Sequence, residues 1–395
     1  MRKYRIVFAI ILLLLILSLP KATGEWSYPD VLRYISMTFK GQAPYSDIAV
    51  DFYGFHALVA KQDPYAILGP ALKTIGVDWD VKHASTHPPT AYLVAAPAAI
   101  LQWPLSSAVW SWLMFACLYL SLKKGIGYSW DASFLLTVMA LYWPPIAISF
   151  GQITLVWLFG LMMAYRTRNT RPFWSGLFIG VASFTKFLPG LLLVPFILRR
   201  KWKAVMGFIL SWMAASGVIL MLSPNAFTRY FEANKTNSID AIMRLDNGAF
   251  IMFLYNRIGT WGLVIAAIAI FLLLALTHKV WFQKRDEEIS QEEWNLYSFM
   301  AVLLLPIAWI YSLSPLLPHL LSLLQNKKMT VRIVTGGAIV LPIIISPWGG
   351  PATASLFGFF VLSGIAIVLA QPLRMLFMRR SHAGEGQERP PKIIP

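Results

Sequence analysis

The sequence predicts an all-α polytopic membrane protein of about 12 transmembrane helices with a helical first extracytoplasmic loop. Three observations carry that prediction. Of 395 residues, 57% are hydrophobic and 13% charged, and mean hydropathy is +0.60. That balance suits a chain dissolved in lipid, not the two or three soluble domains that the length alone would suggest. The apolar residues come in runs near the length a bilayer requires, and the formal charge of +16 sits in short basic clusters between them. Such clusters hold loops on the cytoplasmic face and attract anionic lipid, so the charge argues topology and membrane lipids as partners, not nucleic acid.

In chain order the spans are expected at 6–19, 106–122, 130–150, 153–165, 173–185, 187–198, 204–222, 258–278, 297–313, 316–324, 333–346 and 354–373. The first has the basic start and short apolar core of a signal peptide, with Ala22 and Gly24 after it. Because apolar runs fill the rest of the chain, a retained first helix is the expectation. The single cysteine, Cys117, falls inside an apolar run, with no partner for a disulfide or a metal site, and reads as packing.

Charge parity decides the one ambiguous segment, "HPPTAYLVAAPAAILQW" at 87–103. With Arg2, Lys3 and Arg5 inside, the clusters Lys123–Lys124, "RTRNTR" and "RRKWK" all fall inside only if 87–103 does not cross. Its prolines, Pro88, Pro89 and Pro97, agree with a helix lying at the outer surface or re-entering. The same accounting makes both termini cytoplasmic. Residues 1–378 read as one transmembrane domain, with outer loops at 21–104 and 223–257, and 379–395 as a disordered cytoplasmic tail.

That topology gathers polar residues at one membrane level. Asp47 and Asp51, four apart, share one face of a helical turn as candidate catalytic acids. Gln152 opens the span at 153–165, and Lys186 lies between two apolar runs; Arg244, Asp246, Asn247 and Arg257 come from the second outer loop. Each has a plain alternative, a solvated loop acid or a snorkelling cation. His83 and His87 have metal-ligand spacing, but no carboxylate or cysteine joins them at suitable separation, so no metal is expected. The "DWD" at 78–80 is a weak acid-any-acid signal, and Asn234-Lys235-Thr236 is a glycosylation sequon on the outer side. Asp63, in "QDPY", reads as a turn residue.

The order of these motifs resembles the polyprenyl-phosphate-mannose-dependent mannosyltransferases of glycosyltransferase family 87, which have the GT-C membrane fold. The resemblance runs from Asp47 to about Tyr311. It rests on Asp47 followed by "QDPY", on "HPPTAYLVAAPAAIL", and on Gly151-Gln152, a span, a basic turn, a small-residue helix ending in Lys186, and "RRKWKA". It implies a GT-C-like bundle and an inverting, metal-independent transfer without a cofactor. A polyprenyl-phosphate sugar would be the donor and a lipid or glycan hydroxyl the acceptor, at the outer face of the cell membrane. In that reading Asp47 is the base and Asp51 tunes or orients it. Lys186, Arg244, Arg257 and Gln152 hold the donor phosphate, and His87, Asn247, Trp309 and Tyr311 contact acceptor or sugar. Two positions depart from the family pattern. Asn247-Gly248-Ala249 stands where the family often has Asn-Gln-Ser, and Trp309-Ile310-Tyr311 where it has Trp-any-His, a role left to His87 or His319.

The competing class is a multi-pass transporter or lipid flippase, which needs ionisable residues at span centres and often a two-fold repeat. The span centres here are nearly free of charge, and no repeat is evident. A structural membrane protein would show no convergence of acid and cation at one depth. Sequence leaves the sugar, acceptor, linkage, lipid chain length and oligomeric state open.

Overall fold

A computed structural model of the chain describes residues 28–42, 47–79, 81–125, 147–148, 151–243, 250–268, 271 and 288–304. Among the described residues every regular element is helical. The expected spans at 6–19, 316–324, 333–346 and 354–373 lie outside them, as do most of 130–150, much of 258–278 and 297–313, and the tail 379–395.

The first loop supplies four helices: α1 (Tyr28–Phe39), α2 (Asp47–Val59), α3 (Leu68–Lys73) and α4 (Pro89–Ala99). Helix α1 is amphipathic, with Arg33 and Ser36 exposed and Phe39 set edge-on to Trp112 at 4.7 Å between ring centroids. Helix α4 starts at a proline, whose fixed φ and missing N–H suit a first turn. At 11 residues it rises only about 16 Å, about half of a ~30 Å hydrocarbon core. It packs on α2, where Gly54 lies so close to the Tyr92 ring that a Cβ would collide with it.

Helix α5 (Leu105–Leu120) runs on into a π-helical turn, Ser121–Gly125. Helix α6 (Thr154–Thr167) folds back along α7 (Pro172–Ser183), and Ser175 Oγ donates to the Ala164 carbonyl at 2.7 Å across that hairpin. The expected span 187–198 is a broken element. Leu188–Leu193 is 3₁₀ and α8 covers only Val194–Leu198, because Pro189 and Pro195 remove donors that a continuous α-helix would use. Helix α9 (Trp202–Leu222) then runs beside α7 in the same direction. Gly176 meets Ala204, Gly207 meets Phe173, and Gly180 meets Ser211 and Phe208. Small residues spaced four apart let the two backbones touch, which is how helices associate when lipid offers no hydrophobic driving force. The other side of α9 exposes Met206, Ile209, Leu210, Met213 and Met221, the face that lipid would cover. The helix Leu105–Lys123 and α9 are long and apolar enough to cross a membrane.

The two ends of this bundle differ. At one end the basic turns meet. Lys201 Nζ donates to Asn169 Oδ1 at 3.0 Å and Arg168 Nε donates to the Ile289 carbonyl at 2.7 Å. Arg199 and Glu293 form a two-pronged ion pair at 2.6 and 2.7 Å, both almost fully buried. That pair fastens α12 (Gln291–Leu303), itself capped by Ser290, to the end of α8. The opposite end carries the first loop, the Gly151 turn and the 184–187 turn. Helix α10 (Ala226–Met243) follows α9 and packs on the first loop, with Tyr230 5.7 Å from the Tyr65 ring and Arg229 paired to Asp63. Helix α11 (Phe250–Ile258) comes next. The main core is built on Trp110, Met114, Trp157, Phe196, Trp294 and Phe299.

Candidate active site

Local sequence places each polar group. Asp47 is the first residue of α2, and Asp51 follows one turn later on a helix that buries Ile48, Ala49, Val50 and Phe52 as well. Asp51 is therefore drawn inward with an apolar surface. It meets His87, the residue before the Pro88-Pro89 start of α4, whose Nδ1–H donates to Asp51 Oδ1 at 2.7 Å. The His87 backbone is held at both ends. Its N–H donates to Ser85 Oγ at 3.2 Å and its carbonyl accepts from Tyr65 Oη–H at 3.0 Å. Tyr65 is aimed by the "DPY" turn, in which Asp63 Oδ1 accepts the Tyr65 N–H at 3.0 Å. Asp63 is thus a turn residue, further tied to Arg229 on α10.

Lys186 reaches the same place from α7. Thr90, on the first turn of α4, donates its hydroxyl to the Phe184 carbonyl at 2.8 Å, which pins the 184–187 turn beside His87. Asp47, His87 and Lys186 lie within electrostatic reach of one another, deep in the protein, yet each keeps part of its surface accessible. Groups so placed line a recess. Burial pushes the Asp47 carboxyl up to about 6, helped by Asp51 and opposed by His87 and Lys186. Burial brings the Lys186 ammonium down to about 8, with Asp47 opposing. For His87 burial works against the charged form, but the bonded Asp51 carboxylate and Asp47 outweigh it, and the imidazole titrates above its ordinary value. An acid and a base with values drawn toward neutrality can exchange protons and bind anions near pH 7.

Gln152 is buried in the turn before α6, where Gly151 adopts φ 63° and its carbonyl accepts from Trp110 Nε1–H at 2.8 Å. Among the described residues no hydrogen bond joins it to Asp47, His87 or Lys186. Arg257 lies on α11. Arg244, Asp246, Asn247, Trp309, Tyr311 and His319 lie outside the described residues, as does Asp80 of "DWD". Asp78 is exposed, 3.5 Å from Lys73. His83 turns to the Ala84 carbonyl at 2.9 Å while His87 turns to Asp51, so the two imidazoles do not converge. Among the described residues no cluster of three metal-ligand side chains is present. Asn234 donates to the carbonyls of Tyr230 and Ser85 at 3.0 and 3.4 Å, so the sequon amide is already engaged. Sequence reasoning missed Tyr65, Ser85 and Thr90 as supports. Only the Thr after Pro-Pro hinted at one.

The model of glycosyltransferase family 87 matches residues 86–306, more than half of the chain. The chain belongs to glycosyltransferase family 87. The stretch matched to family 87 contains His87, Gln152 and Lys186, and the fold brings Asp47 and Asp51 to it from outside that stretch. One curated relative, from Mycobacterium tuberculosis (strain CDC 1551 / Oshkosh), is named polyprenol-phosphate-mannose-dependent alpha-(1-2)-phosphatidylinositol pentamannoside mannosyltransferase. It is 26% identical over 283 residues, 67% of this chain and 64% of the relative, so the match spans a little under two thirds of that protein's length. A protein of the same name from Mycolicibacterium smegmatis is 25% identical over 67% of each chain. A phosphatidylinositol mannoside mannosyltransferase of that organism is 24% identical over 78% of this chain and 80% of its own. No solved structure matches.

Proposed function

We propose that the protein is a membrane mannosyltransferase that moves mannose from a polyprenyl-phosphate donor to a hydroxyl of a lipid or glycan acceptor at the outer membrane face. One observation carries the reading: a carboxylate tuned to about 6 stands beside a lysine and a histidine in a recess at the end of the bundle opposite the basic turns. Family membership and the relatives' names supply the donor class. The chain forms a GT-C-like bundle of about 12 spans, multi-pass in the cell membrane, with both termini cytoplasmic.

Asp47 accepts the proton of the acceptor hydroxyl as its oxygen attacks the anomeric carbon. A base with a pKa close to the working pH is ionised yet still basic enough to help. Lys186, with Arg244, Arg257 and Gln152, faces the phosphate on which the departing electron pair collects. His87, Asn247, Trp309 and Tyr311 surround acceptor and sugar. A single displacement with one base inverts the anomeric configuration. The leaving group departs as a phosphate that already carries charge, which protein cations suffice to stabilise, so the transfer runs without a metal. The polyprenyl chain stays in lipid beside exposed apolar helices such as α9.

Purified protein is given polyprenyl-phosphate mannose labelled in the sugar, with membrane lipid extract as acceptor and with EDTA in a parallel arm. Label is expected in a glycolipid or glycan fraction at equal rates with and without EDTA. Asp47→Asn is expected to lower the rate by about 10² to 10⁴. Near-normal transfer by that variant removes Asp47 from its role. Failure of the wild-type protein to move label removes the reading.

A further inference from the structure

With Asp47 taking the acceptor proton, a place beside acceptor or sugar does not account for the bond between Asp51 and His87, 2.7 Å long and closed to solvent on the carboxylate side. The geometry points to His87 as a ligand of the donor's phosphate, standing with Lys186 on the leaving group, with Asp51 as the positioning residue that keeps the ring oriented and charged. This assignment rests on the transferase reading and moves His87 from acceptor or sugar to phosphate.

Orientation is the first argument. The carboxylate of Asp51 only accepts, so the ring nitrogen 2.7 Å away, Nδ1, carries a proton and is fully engaged. The Asp51 side chain keeps 2% of its surface and the His87 ring 22%. The carboxylate thus sits behind the ring, and Nε2 is the nitrogen left to meet a ligand. A carboxylate behind an imidazole fixes its orientation and favours its doubly protonated form.

Charge is the second. Among the described residues the recess holds two carboxylates, Asp47 and Asp51, beside Lys186. A charged His87 balances that set, so an entering phosphate meets a second described cation there, with each carboxylate matched by one. A neutral sugar or acceptor hydroxyl has no need of a second cation. The third argument is construction. Thr90 bonds the Phe184 carbonyl at 2.8 Å, so the segments carrying His87 and Lys186 are joined to each other before any ligand arrives. Preformed donors aimed where charge develops are the arrangement that stabilises a departing group.

In the step, the bond from acceptor oxygen to anomeric carbon forms while that from anomeric carbon to phosphate oxygen breaks. The electron pair stays on the phosphate, Asp47 holds the acceptor's proton, and His87 donates a hydrogen bond from Nε2–H and keeps its own proton.

The test is equilibrium binding of polyprenyl phosphate, with neutral polyprenol as control, to the purified full-length protein in detergent. His87→Gln is expected to weaken polyprenyl phosphate binding by about 10-fold or more, as loss of a charged hydrogen bond does, and to leave polyprenol binding unchanged. His87→Lys, which restores a cation, is expected to recover most of the loss. Asp51→Asn weakens binding in the wild-type background and adds nothing to His87→Gln, since it acts through the ring. Unchanged phosphate affinity in His87→Gln, no recovery with Lys, or full additivity of Asp51→Asn overturns the assignment. So does a rise confined to the acceptor KM. Wild-type protein that binds polyprenyl phosphate through His87 but transfers no sugar sinks the transferase reading alone. Active protein with His87-independent phosphate binding sinks this one alone.

Discussion

Asp47 and Lys186 are displaced toward each other, the acid up to about 6 and the ammonium down to about 8, chiefly by burial. As the proposed base, Asp47 must be deprotonated, so activity is expected to rise as pH passes about 6; as the proposed phosphate ligand, Lys186 must be charged, so activity is expected to fall above about 8. A rate profile from pH 5 to 10 shows both limbs if the assignments hold. Lys186→Arg, whose guanidinium stays charged throughout, is expected to remove the lysine's share of the alkaline limb, leaving any fall due to His87 and the acidic limb in place. A fall near 8 that persists in that variant assigns the limb to another group. The resemblance to family 87, through the distance to "DPY", singled out Asp47, and composition alone flagged the acids. The Asp51–His87 bond was illegible because its partners lie 36 residues apart, one on α2 and one in the segment before α4, and no local period links them.

Among the elements, α7 and α9 show how small residues set a helix pair. A Cβ on Gly176 would meet the Ala204 carbonyl, which is backbone and cannot turn away, whereas one on Gly180 would meet the Ser211 hydroxyl, which can. Gly176→Ala is therefore expected to cost about 1–3 kcal/mol and Gly180→Ala distinctly less. Thermal melts of the two purified variants in one detergent compare them, and equal losses would place the tight approach elsewhere. Charge parity, a constraint on the whole chain, predicts that 87–103 does not cross, and the 11-residue α4 is short enough to agree with it. The break at 187–198 was marked by Pro189 and Pro195 but was hidden by hydropathy, which counts apolar residues and not missing donors.

For the molecule as a whole, the Arg199–Glu293 pair ties α12 to the end of α8 across 94 residues. Glu293→Gln leaves a buried guanidinium without its counter-charge and is expected to cost about 3–5 kcal/mol. Replacing both residues by methionine is expected to recover much of that, and chemical unfolding of the single and double variants measures it. Orientation is checked separately. Cys117 is buried and is the only cysteine, so introduced cysteines report without background. Lys82→Cys, in the first loop, is expected to react with an impermeant thiol reagent on intact cells, and Lys203→Cys, at the basic end, only after permeabilisation. The reverse pattern would invert the topology.

By itself the sequence determined the solvent and the periodicity, because hydropathy and charge are sums over local composition: an all-α chain for lipid, with basic clusters between its apolar runs. Tertiary structure alone decided which acid is bonded to a histidine and which stays part-exposed with its carboxyl raised by burial. It also decided that Thr90 holds the Lys186 turn against His87. Those choices depend on distances between segments far apart in the chain and on how deeply each group is buried, and neither quantity is carried by residue order.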